Sequence, residues 1–200
     1  MKNLLSVVFL SLISLSLLAQ GYSVGDQARN FTLKNVDGKM VSLTDYADEE
    51  GVIVIFTCNH CPYAKAYEQR IIALDKAYAS EGFPVVAINP NDPNRVPEDA
   101  FPKMQERAAE KGYTFPYLVD ETQEIARTYG ATKTPHVYLL ATEGNGTFTV
   151  HYIGAIDDSP MDADAVDKTY LEDAIAAVKA GESPSPAETK AIGCTIKWLP

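Results

Sequence analysis

The sequence predicts an α/β domain with a central mixed sheet flanked by helices, and three features carry that prediction. Gly51–Thr57 is an unbroken apolar, β-branched run, the pattern of a central parallel strand buried on both faces. A helical pattern follows at once. From Pro62 onward, Ala64, Tyr67, Ile71, Leu74 and Tyr78 recur at spacings of three and four, and Gly82 supplies a stop. Further on, His136–Leu140 and Thr147–Ile153 flank Glu143-Gly144-Asn145-Gly146, a hairpin signal.

The remaining elements fit the same plan. Phe31–Leu43 reads as an N-terminal hairpin, because Asp37-Gly38 is a strong turn signal between alternating apolar residues. Phe83–Asn89 is a second apolar strand, and Pro90–Pro97 is a turn-rich loop. Glu98–Lys111 predicts a helix with Phe101, Met104 and Ala108 inward, Pro102 near its start and Gly112 after its end. Phe115–Val119 predicts a short strand. Asp120 then caps a helix through Tyr129, ended by Gly130. Thr169–Lys179 is the last helix, with Leu171, Ile175 and Val178 on one side. Parallel strands thus come first and an antiparallel pair later.

Residues 1–19 stand apart from this domain. Lys2 gives a positive start, Leu4–Leu18 is apolar and broken only by serines, and Ala19 is small, so the segment reads as a signal peptide. Export to the periplasm or the extracellular space places the chain in an oxidising compartment. No stable membrane anchor is expected after cleavage. At the other end, residues 181–190 are rich in Pro, Ser and Glu and read as a linker. The tail Ile192–Trp198 is apolar after it. The chain of 200 residues has 17 Lys+Arg against 27 Asp+Glu, a formal net charge of -10. That balance disfavours nucleic acid as a partner.

The chemistry lies between strand and helix, at Cys58-Asn59-His60-Cys61 before Pro62. The helix start holds the two thiols close enough to bond and stabilises a thiolate, the reactive species. With only Cys194 besides, three cysteines do not make a disulfide-stapled scaffold. Zinc usually takes four ligands, and the further pool is Cys194 and three His, so no metal is expected. A c-type haem would need His directly after Cys61, where Pro62 stands.

This order of elements, with the redox turn after the central strand, resembles the thioredoxin superfamily. Lys133-Thr134-Pro135 precedes the later hairpin strand, where thioredoxin-like proteins carry a cis proline facing the cysteines. The resemblance makes Pro135 that residue, with the Thr134 backbone placed to pair with a bound peptide. Gly25–Leu33, Asp37-Gly38-Lys39 and Val41–Leu43 resemble the opening of the redoxin branch, the alkyl hydroperoxide reductase/thiol-specific antioxidant family. Phe56–Tyr63, Phe115–Gln123, Ile156-Asp157-Asp158 and Gly193–Trp198 extend the likeness to a subgroup of redoxin-like proteins. The implied domain runs from 22 to 180, followed by linker and tail over 181–200. Two positions depart from that subgroup, which often has Cys at Lys133 and Asp at His136. The peroxiredoxin signature Pro-x-x-x-Thr/Ser-x-x-Cys is absent at both cysteines. The buried Asp that thioredoxins carry six residues before the first cysteine is Val52 here.

Cys58, the outer thiol at the helix end, is the expected nucleophile, and Cys61, a turn inside, resolves the mixed disulfide. His60 is a candidate tuning residue, since a positive imidazole favours a neighbouring thiolate. Its alternative is an exposed turn residue without a tuning role. His136 reads as a surface residue at a strand start that could join an adventitious metal site, and His151 as chemically idle. Cys194 either captures an oxidised thiol or packs as a small hydrophobe, with Ile192, Ile196 and Trp198 favouring packing. Glu68, Asp157 and Asp158 are proton-acceptor candidates that solvated carboxylates would equally explain. Phe56, Tyr63 and Tyr67 read as packing.

The function that follows is exported thiol-disulfide exchange without organic cofactor or metal. Its partners are protein or small-molecule thiols and disulfides, plus an electron donor that the sequence does not name. The alternatives are a thiol peroxidase, with a Cys58 sulfenate captured by Cys61 or Cys194, and a binding domain with an inert dithiol.

Overall fold

The computed structural model describes residues 21–200. The expected signal peptide lies outside them. Strands β1 (Gln27–Ala28), β2 (Thr32–Asn35), β3 (Met40–Ser42) and β4 (Gly51–Phe56) precede helix α1 (Pro62–Tyr78). Then come β5 (Val85–Asn89), α2 (Phe101–Lys111), β6 (Tyr117–Val119), α3 (Glu124–Tyr129) and β7 (Lys133–Thr134). The chain closes with β8 (His136–Thr142), β9 (Phe148–Gly154), α4 (Tyr170–Lys179) and β10 (Cys194–Thr195).

Eight strands form one mixed sheet in the order β1-β9-β8-β4-β5-β6-β2-β3. β4, β5 and β6 run parallel, and β8 and β9 join antiparallel on the β4 side. Every residue of β4 is buried, which is why its sequence does not alternate. Val52, Val54 and Phe56 enter one core layer with Tyr129, Tyr138 and Phe148. Ile53 and Ile55 enter the other, with Tyr67 and Ile71 of α1, Met104 of α2 and Leu171 and Ile175 of α4. The expected hairpin is β2–β3, turning at Gly38 with φ 87° and joining the sheet through β6.

Three boundaries differ from the sequence expectation, each for a local reason. α2 starts at Phe101 because residues 97–99 form a separate 3-10 turn that ends in extended Ala100. α3 starts at Glu124 because Gln123 has φ 60° and residues 120–123 close a turn, from the Gln123 amide to the Asp120 carbonyl. The N-cap of α3 is Gln123 rather than the expected Asp120, although Asp120 Oδ2 still accepts from the Ala126 amide at 2.8 Å. Residues 181–200 are not a free linker and tail. Thr189 donates its amide to Ile153, Ile153 donates to Ala187, and β10 pairs antiparallel with β7. Among the described residues, no helix is long and apolar enough to cross a membrane.

Candidate active site

The dithiol sits at the C-terminal end of β4, where the chain leaves the sheet before α1. In open α/β sheets ligands gather at the carboxyl ends of the parallel strands. Cys61 is the N-cap of α1, and Pro62 is its first residue, where the missing amide costs nothing. Cys58 lies three residues earlier, 5% exposed, and Cys61 is fully buried. Both are free thiols. Thr134 stands between them: its Oγ1 is 3.2 Å from Cys58 Sγ, and its carbonyl oxygen is 3.3 Å from Cys61 Sγ. The following Thr134–Pro135 peptide bond is cis, as the resemblance implied.

The expected division of labour between the sulfurs needs one correction. The helix-terminal thiol is Cys61, and Cys58 is only the more accessible one. The thiolate is favoured at Cys61, held low first by the hydrogen bond Cys58 makes to it, then by Cys194 and the Ala64 amide. Cys58 is pushed up, first by that same bond, then by burial and by the charge of Asp99. The two therefore share one proton and titrate as a pair.

Asp99 is the functional-site residue that sequence reading missed. Its side chain is fully buried, and Oδ2 lies 2.6 Å from His60 Nδ1. It also accepts from the Asn59 amide at 2.6 Å and from Asn91 Nδ2 at 2.8 Å. Tyr117 donates its hydroxyl to Asn59 Oδ1 at 2.9 Å. The loop after β5 thus holds the Asn59-His60 turn in place. In sequence Asp99 fell within the expected helix Glu98–Lys111, whereas it lies in the 3-10 turn that precedes α2. His60 Nδ1 lies 3.5 Å from Cys58 Sγ, and the ring is partly buried rather than an exposed turn side chain. Among the described residues, Cys58, His60 and Asp99 are three groups close enough to ligate one metal, in place of the set with His136 considered from sequence.

Other candidates divide clearly. Cys194 does reach the site, packing against Cys58, Cys61 and Ala64, with Tyr63 at the rim. Burial and the neighbouring Cys61 push its thiol up to about 11, which keeps it protonated. His136 is buried, not a surface residue, because β8 is a central strand. Burial pulls it down to about 4, and its Nδ1 accepts from the Thr132 amide. Glu68 pairs with Arg107, Asp157 with Arg70 at 2.6 Å, and Asp158 accepts from the Asp167 and Lys168 amides. These bonds hold the scaffold together. Phe56 and Tyr67 are core, and His151 lies on β9.

This fold and this turn define a thioredoxin-like redox protein. A thioredoxin-family thiol:disulfide interchange protein from Chlorobium tepidum shares the fold at TM-score 0.55 and 22% identity, over 72% of this chain and 94% of that one. The chain belongs to the AhpC/TSA family, whose model matches residues 24–156. Thiol-disulfide oxidoreductase ResA of Geobacillus thermodenitrificans is 28% identical over 125 residues, 61% of this chain. That match spans 66% of the relative's length. An uncharacterized conserved protein from Geobacillus kaustophilus is 39% identical with TM-score 0.81, over 89% of this chain and 93% of that one.

Proposed function

We propose that the chain is an exported thiol-disulfide oxidoreductase working through Cys58 and Cys61. One observation carries the reading: two free thiols at a strand-to-helix turn meet the hydroxyl and the carbonyl of one residue, Thr134, next to Pro135. The likeness to an oxidoreductase such as ResA supports it, and the run Leu4–Leu18 supports export.

The exchange follows from the geometry. Cys58 is the more accessible of the two cysteines, so it meets the substrate. In the reducing direction, Cys58 passes its proton to Cys61 and attacks one sulfur of the substrate disulfide. The substrate S–S bond breaks and its other sulfur leaves, taking a proton. Cys61 then attacks Cys58, releases the second substrate thiol and closes the Cys58–Cys61 disulfide. Two electrons pass to the substrate. In the oxidising direction a substrate thiolate attacks Cys58, and Cys61 leaves. A low-pKa thiol leaves faster, and the N-cap position makes Cys61 such a leaving group. His60, held by Asp99, orients the turn and faces Cys58.

Exchange with glutathione disulfide, followed by mass spectrometry, tests this reading. The full chain should form a Cys58–Cys61 disulfide and release two equivalents of glutathione, and Cys58→Ser should not. A chain that is inert toward disulfides yet consumes hydrogen peroxide through Cys58 would establish the peroxidase instead. A binding activity indifferent to Cys58→Ser would mark a binding domain.

A further inference from the structure

We infer that the C-terminal tail is a built-in occupant of the substrate edge, so that this oxidoreductase accepts compact low-molecular-weight disulfides and disfavours extended polypeptide ones. The inference rests on the thiol-disulfide reading above and adds its substrate class.

The edge in question is β7. It lies beside both sulfurs through Thr134. A polypeptide bringing a cysteine to Cys58 would dock most readily by adding a strand to the nearest free main-chain edge. Here that edge is taken by the chain itself. Cys194 pairs antiparallel with Thr134, and Thr195 with Lys133. The Ile196 amide donates to the Thr132 carbonyl at 3.3 Å. Gly193 lies flat on the same peptide unit, where an added Cβ would meet the Thr134 carbonyl oxygen at 2.3 Å and the Pro135 nitrogen at 3.0 Å.

The tail is fastened on both sides of this contact. Ile196 is 3% exposed and belongs to the core layer under β4. The Lys197 amide donates to Asn91 Oδ1 at 2.8 Å, and its carbonyl accepts from the Asp92 amide and from Gln123 Nε2. Gln123 Oε1 accepts from the Leu199 amide at 2.7 Å. The Arg127 guanidinium lies 4.5 Å from the centre of the Trp198 ring. A peptide strand must break these contacts to reach the edge. A small disulfide needs only Cys58, which the tail leaves 5% exposed.

The test uses the full chain and two variants that loosen the tail without touching a thiol. Gly193→Ala lifts it off Thr134. Gln123→Gly removes the side-chain anchors to Lys197 and Leu199 while suiting the φ of 60° at that position. Trp198 is the single tryptophan, so its emission reports tail release in each variant. Rates are measured with glutathione disulfide and with an eight-residue peptide carrying a thionitrobenzoate mixed disulfide. In a variant whose Trp198 emission shows release, the peptide rate should rise roughly tenfold, as one or two recovered main-chain hydrogen bonds supply. The glutathione rate should stay within about twofold, since no contact to a small disulfide is gained. A peptide rate unchanged on release, or both rates rising together, overturns the inference and leaves the oxidoreductase reading standing. No exchange with either disulfide in any of the three chains overturns both.

Discussion

His60 Nδ1 stands 2.6 Å from Asp99 Oδ2 and 3.5 Å from Cys58 Sγ, so the histidine inside the redox turn already has a buried carboxylate as its partner. The Asp99 carboxylate, not the imidazole, is the charge that acts on Cys58 here. The Asp99 charge opposes a thiolate at Cys58, and the imidazole would favour one in its protonated form.

Opposite shifts in reduction potential follow. Stabilising a thiolate stabilises the reduced pair and makes the disulfide more oxidising. His60→Ala leaves Asp99 uncompensated and should lower the potential. Asp99→Asn should raise it. Each shift should be about 30 mV, equivalent to roughly one pKa unit in a two-electron couple. The double variant should return close to the starting value. Glutathione redox titration of the four chains checks this, and equal shifts of one sign would refute the opposition.

The two sulfurs should separate by trapping. Cys61→Ser leaves the accessible thiol able to attack but not to be resolved, so it should accumulate mixed disulfides with small thiols. Cys58→Ser should lower exchange by at least about a hundredfold, since the surviving sulfur is fully buried. Trapping by Cys58→Ser and none by Cys61→Ser would reverse the roles.

His136 gives the fold an acid sensitivity independent of the dithiol. Burial lowers it to about 4, below its ordinary 6.5. A lowered folded-state value means that the unfolded chain takes up the proton first as pH falls. The contribution is therefore complete above pH 6.5 and drains away as pH falls toward 4. Its size is roughly 3 kcal/mol. His136→Asn keeps an acceptor for the Thr132 amide and should flatten this part of the pH profile. Urea unfolding at pH 7 and pH 4.5 measures the difference, and an equally steep loss in the variant would contradict the assignment.

Asp157 should matter for stability. Arg70 Nη1 lies 2.6 Å from its Oδ2, Tyr67 donates to its Oδ1 at 2.8 Å, and the guanidinium lies over the Tyr67 ring. Asp157→Ala strands a largely buried guanidinium and should cost about 3 kcal/mol. Thermal and urea melts would show this, and a loss below about 1 kcal/mol would place the pair in the surface class.

Local patterns announced the dithiol and its supports, and long-range contacts hid the rest. β4 and α1 were legible because an apolar run and a three-four periodicity are local, and so was the Asp37-Gly38 turn. Asp99 was not, because it was read as part of the helix Glu98–Lys111 and meets His60 only across 39 residues, from a 3-10 turn before α2. Cys194 was read as packing, and its seat beside Cys61 depends on a two-residue pairing with β7 that no periodicity encodes. The thiolate was expected on Cys58 because that outer thiol was taken as the one at the helix end. The helix does begin at Pro62, as its periodicity indicated, and its cap is Cys61. His136 looked like a surface residue because β8 was not yet known to pair with β4.

The most direct test is a glutathione redox titration of the full chain in which the disulfide formed is mapped by mass spectrometry. The account predicts one two-electron couple linking Cys58 to Cys61 with Cys194 free. Its potential should lie above thioredoxin's value of about −270 mV, because the hydrogen bonds from Cys58, Cys194 and the Ala64 amide stabilise the Cys61 thiolate. Thiols that stay free across the titration, a disulfide that engages Cys194 in most molecules, or a potential at or below thioredoxin's would contradict it.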